Sequence, residues 1–363
     1  MSMSHSGVYP VIYRTIFNGK DWIEEYKEEY HATYEEESMT ESTQLHDQCP
    51  HRNYLKIPIV SGSLHYSISA FEGGKAFPQA DGSFKLFRPD RNARRFRNSL
   101  GGLYIPCPPE EDILRAIRKT VGKNYHLGFY PRYNKDLEKV GFFGAPSMYI
   151  RPFVVGESNL TPATSERPTI MIFCLPLGSF FGQNTITLMV SHRARAIKGG
   201  IGWIKSAANY TVSAIGRKEA QMKGYNDALF LDFETKKNIE ESSATNFFCV
   251  MKDDTLVTPD LGDTILPGVT RESVMQIGKD LGMKVEERRL PVEEMLSHAK
   301  ECFVCGTGGG VVGVSAVEYN DKVTHFGRSD TPGEITTQLG TALRNIQFGK
   351  TEDHHGWMFD PLS

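Results

Sequence analysis

The chain has 363 residues, of which 39% are hydrophobic and 23% are charged, and its formal net charge is −3. This composition is ordinary for a soluble globular protein, and it gives no indication of a nucleic-acid partner or of binding to an acidic membrane surface. The length favours two domains with enough buried surface to enclose a cofactor, and no apolar run reaches the roughly 18 to 20 residues of a membrane-spanning helix.

The first 53 residues are polar, acidic and weakly patterned, which predicts an irregular N-terminal arm with one or two helical turns. Residues 21–37 are rich in glutamate, whereas transit peptides are basic and poor in acidic residues. There is also no basic segment followed by an apolar one, as in a secretory signal. A cytoplasmic location is therefore expected.

Alternating strand-like and helical patterns follow, and they predict a small α/β domain over residues 54–174. Strands are expected at 55–60, 84–87, 148–155 and 170–175. Helices are expected at 91–100, opened by Pro89-Asp90 and stopped by Gly101-Gly102, and at 110–124. Residues 161–168 are typical of a polar loop.

Breaker residues at 176–182 indicate a linker, so the boundary is placed at 175–182 and a larger domain is expected over 183–363. Within it, strands are expected at 186–191, 228–233, 247–252, 284–290 and 302–305. Helices are expected at 207–223 and 270–281. Helices and strands mix without a fixed repeat, so the fold class is α+β or mixed α/β.

Six cysteines are scattered along the chain without the density of a disulfide scaffold, which indicates reduced thiols. Cys302 and Cys305 have the spacing of a redox or zinc motif but lie in an apolar run typical of a strand. An odd offset on a strand directs the two side chains to opposite faces, so buried structural thiols are favoured and no metal site is predicted.

Lys205 is a candidate for Schiff-base chemistry, although most lysines are simply exposed. It follows the glycine-rich turn 199–202, which lets backbone and cofactor approach closely. Downstream, Glu240 or Glu241 offers a carboxylate to a pyridine nitrogen, unless both are solvated turn residues. Gly268-Val269-Thr270 precedes a helix and favours either a phosphate site or an ordinary threonine N-cap.

The glycine-rich turn 306–310 follows a strand and can present several amides to a phosphate or to a carboxylate. Residues 308–313 also match the dinucleotide pattern G-x-G-x-x-G, but that site requires a following helix, and 314–321 favours a strand. Arg88 is well placed as an anion ligand at a strand end. Arg151, inside an apolar strand, is expected to have a buried or interfacial anionic partner.

From about Tyr54 onward, the chain closely resembles the branched-chain amino-acid aminotransferases of the fold-type IV pyridoxal-phosphate class. The resemblance is carried by 64–77, 86–90, 149–152 and 266–271 and by the Lys205 and Glu241 segments. It implies an α+β architecture with a smaller N-terminal α/β domain and a larger, β-barrel-like C-terminal domain. It also implies a homodimer that uses pyridoxal 5′-phosphate to exchange amino groups between leucine, isoleucine or valine and 2-oxoglutarate.

The resemblance further implies roles for single residues. Lys205 would form the Schiff base and move the proton between the substrate Cα and cofactor C4′. Counting back from Asn246 selects Glu241 over Glu240 as the pyridine-nitrogen partner. The other implied cofactor ligands are Tyr210 at the ring oxygen and Arg88, Val269, Thr270 and Thr307 at the phosphate. The implied substrate pocket is formed by Tyr66, Phe71, Tyr149 and Arg151, with Thr307 and Gly308 receiving the α-carboxylate.

Three segments depart from the family pattern and bear on the preferred substrate: Ala207-Ala208, Ala244 and Gly308-Gly309-Gly310. Where mammalian relatives have a redox Cys-x-x-Cys, this chain has Gly309 and Val312, so that regulation is not expected. Two other hypotheses are considered: a different fold-type IV enzyme, such as a D-amino-acid transaminase or an aminodeoxychorismate lyase, and a cofactor-free scaffold. The segments 149–152 and 71–73 argue against the first, and Lys205, Tyr210, Glu241 and Arg88 together argue against the second.

Overall fold

The computed structural model describes residues 8–28, 59–140, 144–156, 161–178 and 183–362. The chain divides into two compact units. The first unit comprises Met1–Lys135, Ala145–Phe180 and Gln347–Ser363, and the second comprises Asp136–Gly144 and Phe181–Ile346. A 3₁₀ helix spans Lys135–Val140.

The first unit contains an antiparallel seven-stranded sheet. Its strands are β1 (Val11–Phe17), β2 (Trp22–Glu28), β3 (Gly74–Pro78), β4 (Phe84–Phe87), β5 (Ser147–Val155), β6 (Thr169–Leu177) and β16 (Met358–Phe359). They lie in the order β16-β4-β3-β5-β6-β1-β2. Burial alternates along β5 and β6, as expected for strands with one face against a core.

The helices of this unit are α1 (Gly62–Tyr66), α2 (Pro89–Gly102) and α3 (Glu110–His126). Pro89 suits the first turn of α2, where its missing N–H has no helical partner. Ala93, Phe96 and Leu100 recur at helical spacing, and they are buried in the same core as Ile113 and Ile117 of α3. This core lies against the buried side chains of β4, β5 and β6.

The second unit is built on a closed ring of strands, β10-β13-β14-β7-β8-β9, which the β9–β10 pairing of Glu241 with Asn246 completes. The strands of this unit are β7 (Thr185–Val190), β8 (Asp227–Leu231), β9 (Ile239–Ser242), β10 (Asn246–Met251), β11 (Leu256–Thr258), β12 (Val285–Glu287), β13 (Ala299–Gly306), β14 (Gly310–Tyr319) and β15 (Lys322–His325). Strands β11, β12 and β15 extend the sheet outside the ring. The result is a β-barrel.

The helices of the second unit are α4 (Asn209–Met222), α5 (Val269–Asp280), α6 (Val292–His298) and α7 (Glu334–Gln347). Side chains such as Phe247, Val304 and Val314, together with Met295 of α6, form one buried apolar cluster. Glu301 accepts hydrogen bonds from the backbone N–H of Ile335 and Thr336 and so stabilises the start of α7.

The architecture confirms the predicted α+β class with a barrel-like second domain. Every predicted element that lies wholly within the described residues has a counterpart, with ends shifted by a few residues. Helix α2, for example, continues through the glycine pair at 101–102. The predicted strand at 55–60 lies largely outside the described residues.

Three parts of the predicted organisation differ from the structure. Residues 11–28 form β1 and β2 rather than an irregular arm, since each backbone finds a partner strand. Strand β6 continues to Leu177, so the first residues of the predicted linker are strand, whereas 179–182 lie outside the described residues. Residues 347–363 belong to the first unit rather than to the predicted domain 183–363, because β16 pairs with β4.

Cys302 and Cys305 are buried, free thiols, as predicted, and Cys107, Cys174 and Cys249 are also unpaired. Burial raises the pKa of Cys305 to about 12, which keeps it protonated and unreactive at neutral pH. Cys49 lies outside the described residues. Within the described ranges, the chain contains no helix that is both long enough and apolar enough to cross a membrane.

Candidate active site

Lys205 lies just before α4, at the end of a turn that requires glycine. A Cβ on Gly202 would lie 2.7 Å from Thr264 O and 2.5 Å from Ala196 Cβ, so no larger residue fits there without displacement. The Asn209 amide at the start of α4 donates to Ile201 O at 2.8 Å and to Ile204 O at 2.9 Å. These contacts fix the loop on both sides of Lys205.

The side chain of Lys205 meets Tyr210, as the sequence predicts for a shared site. Lys205 Nζ donates to the Tyr210 hydroxyl at 2.7 Å. Tyr210 lies in the first turn of α4, so the helix start and the preceding loop together define where the amine lies. The amine and the phenol hydroxyl can therefore act on the same ligand.

Glu241 at the end of β9 is a buried carboxylate held by three donors. Arg195 Nη2 lies 2.6 Å from its Oε1, the Asn246 amide donates to its Oε2 at 3.0 Å, and the Leu266 N–H donates to Oε1 at 3.3 Å. Burial raises the pKa of Glu241, while Arg195, the Leu266 N–H and the charge of Lys205 oppose the rise. The structure thus brings Glu241 and Lys205 into one electrostatic environment.

Glu240 is buried too, so neither glutamate is a solvated turn residue. Successive residues of a strand point to opposite faces, and only Glu241 shares a face with its partner Asn246. Burial raises the pKa of Glu240, whereas a hydrogen bond from Thr264 lowers it. The two carboxylates therefore point to opposite faces of β9.

Arg195 is a site residue that the sequence analysis missed. It is buried, and besides Glu241 it donates to Gly202 O at 3.1 Å and to Thr264 O. It therefore connects the carboxylate with the turn that carries Lys205. In the sequence it lies in a basic run beside the exposed Arg193, which pairs with Glu219, and no local pattern distinguishes the two arginines.

Helix α5 begins at Val269 with Gly268 as its N-cap, so Thr270 lies inside the first turn and is not the cap. Among the described residues, no side chain hydrogen-bonds to cap this helix. A Cβ on Gly268 would lie 2.0 Å from Asn246 Oδ1, and the Asn246 amide also donates to Leu266 O at 3.0 Å. Asn246 therefore connects the carboxylate with a helix start that can bind an anion.

Thr307 and Gly308 form the turn between β13 and β14, and Gly310 after them has a φ of +69°. A Cβ on Gly306 would lie 3.1 Å from Thr245 Cγ2, so the turn closely approaches the loop after Glu241. Residues 310–319 are strand, not helix, so the dinucleotide hypothesis is excluded.

The departures at 207–208 leave this backbone unstrained. Ala208, at the N-cap of α4, has φ −57° and ψ −35°, a conformation that any residue adopts. The Ala208 N–H donates to Ser206 Oγ at 3.4 Å, and Ala207 O accepts from the Tyr210 N–H at 3.1 Å. The Ala207-Ala208 backbone therefore keeps Tyr210 beside Lys205.

The other predicted site residues belong to the first unit. Tyr149 and Arg151 lie two residues apart on β5 and share a face, and Arg151 Nη2 donates to the Tyr149 hydroxyl at 2.7 Å. The Arg151 guanidinium carbon lies 4.5 Å from the ring centroid of Phe71. Tyr66, at the end of α1, is 42% exposed. Among the described residues no carboxylate pairs with Arg151, whose guanidinium contacts two aromatic rings and the Tyr149 hydroxyl. The expectation of a buried or interfacial anionic partner stays a prediction.

A buried polar network fixes the backbone that lies next to the Tyr149 hydroxyl. Glu72 accepts from Arg95 Nε at 2.8 Å and from the Gly73 N–H at 2.7 Å, and the Asn92 amide donates to Gly73 O at 3.3 Å. The Gly73 backbone is thereby fixed where a Cβ would lie only 2.3 Å from the Tyr149 hydroxyl. Gly73 thus sets the position of that hydroxyl.

Lys75 on β3 lies opposite Tyr149, and burial lowers its pKa from 10.5 to about 8. Above pH 10.5 the amine is neutral in both folded and unfolded chains, whereas below about 8 the folded chain must hold a poorly solvated charge. Lys75 therefore destabilises the folded chain increasingly as the pH falls from 10.5 to about 8.

We expect Lys75→Met to be more stable than the wild type at pH 7 by up to about 3.5 kcal/mol, since the pKa of Lys75 falls from 10.5 to about 8 and one pKa unit corresponds to about 1.4 kcal/mol. Urea unfolding at pH 7 and at pH 10.5 measures the difference. It should be largest at pH 7 and disappear near pH 10.5. An equal difference at both values would show that the effect comes from packing rather than from charge.

The second-unit residues fit a ligand with an aldehyde, a basic ring nitrogen and a phosphate. Lys205 supplies the amine and Tyr210 a phenol beside it. Glu241 supplies a buried carboxylate for a protonated ring nitrogen. The start of α5, with Gly268 in place of a larger cap, has backbone N–H groups that can bind a phosphate.

Comparison with known proteins agrees with this chemistry. The profile of the family described as amino-transferase class IV matches residues 69–317. Branched-chain-amino-acid aminotransferase 5, chloroplastic, of Arabidopsis thaliana is 36% identical over 309 residues, covering 84% of this chain and 70% of that protein. A probable branched-chain-amino-acid aminotransferase of Staphylococcus epidermidis is 34% identical over 320 residues, covering 85% and 84%.

Solved structures share the fold of this chain. The branched-chain amino acid aminotransferase of Escherichia coli superposes with a TM-score of 0.71 at 26% identity, covering 85% of this chain and 94% of that one. The enzyme of Thermobaculum terrenum, solved in its PLP form, shares the fold with a TM-score of 0.72 at 23% identity, covering 97% and 98%.

Proposed function

Because the chain belongs to the branched-chain aminotransferases of the amino-transferase class IV family, and is a pyridoxal-phosphate-dependent transaminase, we propose that Lys205 is its catalytic base. The reaction transfers an amino group between a branched-chain amino acid and 2-oxoglutarate in two half-reactions. Bound pyridoxal phosphate supplies an electron sink for the negative charge that develops at the substrate Cα. The observation that carries the proposal is the Lys205–Tyr210 contact beside the buried carboxylate Glu241.

Lys205 would hold the cofactor covalently, and its amine would move the proton between the substrate Cα and cofactor C4′. Tyr210 keeps the amine in place through the 2.7 Å hydrogen bond and binds the ring oxygen. A lysine fixed by a short loop returns to the same position after each proton transfer, so one amine serves both half-reactions.

Glu241 binds the pyridine nitrogen and keeps it protonated. Arg195 and Asn246 orient the carboxylate, and the positive charge of Arg195 favours its ionised form against the effect of burial. An ionised carboxylate attracts the ring N–H and so favours electron flow toward the ring.

The phosphate is bound by the backbone N–H groups of Val269 and Thr270 at the start of α5, with Arg88 and Thr307 as further ligands. The positive end of the helix favours a dianion there. The substrate α-carboxylate is received by the turn at Thr307 and Gly308. Tyr66 and Phe71 contact the branched side chain.

Arg151 and Tyr149 bind the distal carboxylate of glutamate or 2-oxoglutarate. Their hydrogen bond leaves a guanidinium and a phenol side by side on one sheet face. The aromatic rings around Arg151 also accept an apolar side chain, so the same surface serves both substrate classes in turn. Selectivity for dicarboxylates then depends on the exact positions of these two groups.

Gly73→Ala is expected to lower kcat/KM for 2-oxoglutarate by about tenfold, the effect of roughly 1.4 kcal/mol, and that for 4-methyl-2-oxopentanoate by much less. The added Cβ would lie 2.3 Å from the Tyr149 hydroxyl and displace it from Arg151. Steady-state kinetics with both acceptors measures the ratio. Arg151→Met is the reference variant and should shift the ratio in the same direction. Equal losses for both acceptors in Gly73→Ala would contradict this role.

We also propose that the protein is a cytoplasmic homodimer. The acidic stretch 21–37 supports the location, since transit peptides are poor in acidic residues. Half-buried apolar side chains on the β5 and β6 face opposite the helices, such as Phe153 and Phe173, support a protein contact there. Light scattering on the purified protein and fractionation of the native cells test the two statements.

A further inference from the structure

Arg88 has an unusual backbone and an aromatic neighbour. It lies between β4 and α2 with φ +48° and ψ 47°, the left-handed region that residues with a side chain rarely adopt. Its N–H donates to Trp357 O at 2.7 Å, and its guanidinium carbon lies 4.9 Å from the centroid of the Trp357 indole. Both side chains are buried. Trp357 therefore contacts Arg88 through backbone and ring alike.

Trp357 belongs to a segment that we call the strap, residues 353–362, and the strap is anchored without Arg88. Asp353 accepts from the Met358 N–H at 2.7 Å, and Met358 pairs with Phe87 of β4. Arg118 of α3 donates to Asp360 O at 2.8 Å. These contacts anchor the strap to β4 and α3.

The strap also fits closely against α3. The Leu362 N–H donates to Arg118 O at 3.2 Å, and a Cβ on Gly122 would lie 1.6 Å from Leu362 O. The indole of Trp357 packs on the ring of His355 at 4.5 Å and on the edge of Phe87 at 5.8 Å. A ring confined on three sides holds one orientation toward Arg88.

We propose that Trp357 is a positioning residue for phosphate binding: it holds the guanidinium of Arg88 in the orientation that binds the cofactor phosphate. This inference rests on the proposed role of Arg88 as a phosphate ligand. An aromatic face attracts a guanidinium and uses none of its five N–H donors, which suit the oxygens of a phosphate. The ring also contributes to stabilising the charge of a buried arginine.

The test compares the cofactor affinity of four variants: Trp357→Phe, Trp357→Leu, Arg88→Ala and, as the matched control, Phe359→Leu. Phe359 lies on the same strap, but its ring is next to Arg118, 5.9 Å from that guanidinium carbon. Each apoprotein is titrated with pyridoxal phosphate and with pyridoxal, which lacks the phosphate, and binding is followed by visible absorbance. Thermal unfolding of the apoproteins reports folding.

Trp357→Leu is expected to bind pyridoxal phosphate about tenfold more weakly, the effect of losing a buried cation–π contact, and pyridoxal within about twofold of the wild type. Trp357→Phe and Phe359→Leu should bind both ligands like the wild type. Two outcomes would overturn the inference about Trp357 but leave the role of Arg88 intact. The first is that Trp357→Leu weakens the binding of both ligands equally. The second is that Trp357→Leu keeps its affinity for pyridoxal phosphate while Arg88→Ala loses it. Unchanged affinity in Arg88→Ala would overturn the role of Arg88 itself.

Discussion

Replacing Lys205 with alanine is expected to abolish multiple-turnover amino transfer, with a loss of at least about a thousandfold, because general acid–base catalysis alone contributes about 10²–10⁴-fold. Alanine removes both the covalent attachment of the cofactor and the amine that moves the proton. The purified variant should therefore also lack the yellow absorbance of the lysine-bound cofactor. Coupled assays and visible spectra measure the two effects separately.

Lys198→Ala is the matched control for this change. Lys198 is an exposed lysine of the same loop region, and its replacement should leave both absorbance and turnover near the wild-type level. Addition of a small amine such as methylamine should partly restore proton transfer in Lys205→Ala, since a diffusible base can enter the space left by the side chain. Full turnover by Lys205→Ala would show that another group is the base.

Replacing Glu241 with glutamine is expected to slow the half-reaction with leucine by about a hundredfold or more, the range seen when a preorganised electrostatic partner is lost. The neutral glutamine amide has nearly the same shape and can still contact Arg195 and Asn246. It has no negative charge, however, with which to keep a ring nitrogen protonated. Single-turnover spectra of the cofactor, recorded after mixing with leucine, measure the rate.

Glu240→Gln provides the comparison, because Glu240 is also buried but faces the other side of β9. The rate of the half-reaction in Glu240→Gln should stay within about threefold of the wild type. Glu240 lacks the 2.6 Å contact with Arg195 that Glu241 makes. Urea unfolding of both variants separates stability from rate. If Glu240→Gln were the slow variant, the assignment of the ring-nitrogen partner would be wrong.

Elements with strong local patterns were predictable from the sequence. Helix α3 repeats buried side chains at helical spacing, and α2 begins at a proline suited to the first turn, so each is encoded within a few residues. The barrel strand β10 is buried at every position and appears as a continuous apolar run. In these cases the tertiary structure reinforces what neighbouring residues already favour.

Elements that depend on distant partners were missed. Strand β2 is rich in acidic and basic residues, such as Glu24, Glu25 and Lys27, and resembles a solvated segment. It nevertheless pairs with β1 as an edge strand, where charged side chains remain in water. Strand β16 has only two residues, and its partner β4 lies far away in the sequence. No local periodicity distinguishes such a strand from a loop.

The site shows the same division. Lys205, Glu241 and Gly268 lie in segments whose residue types indicate the chemistry. The order of these segments along the chain matches the family that the chain resembles. Arg195 and the Glu72–Arg95 pair act through contacts across the fold, and their sequence surroundings resemble ordinary basic stretches. Only the structure distinguishes a buried arginine that orients a carboxylate from one that lies in water.

The most direct test of the central claim is an acceptor panel with L-glutamate as the amino donor and the purified holoenzyme. We expect 4-methyl-2-oxopentanoate, 3-methyl-2-oxopentanoate and 3-methyl-2-oxobutanoate to yield leucine, isoleucine and valine, each in equal amount to the 2-oxoglutarate formed, with pyruvate a poor acceptor. The account would be contradicted if none of the three amino acids formed and the protein instead produced D-alanine from a D-amino-acid donor or released pyruvate from aminodeoxychorismate.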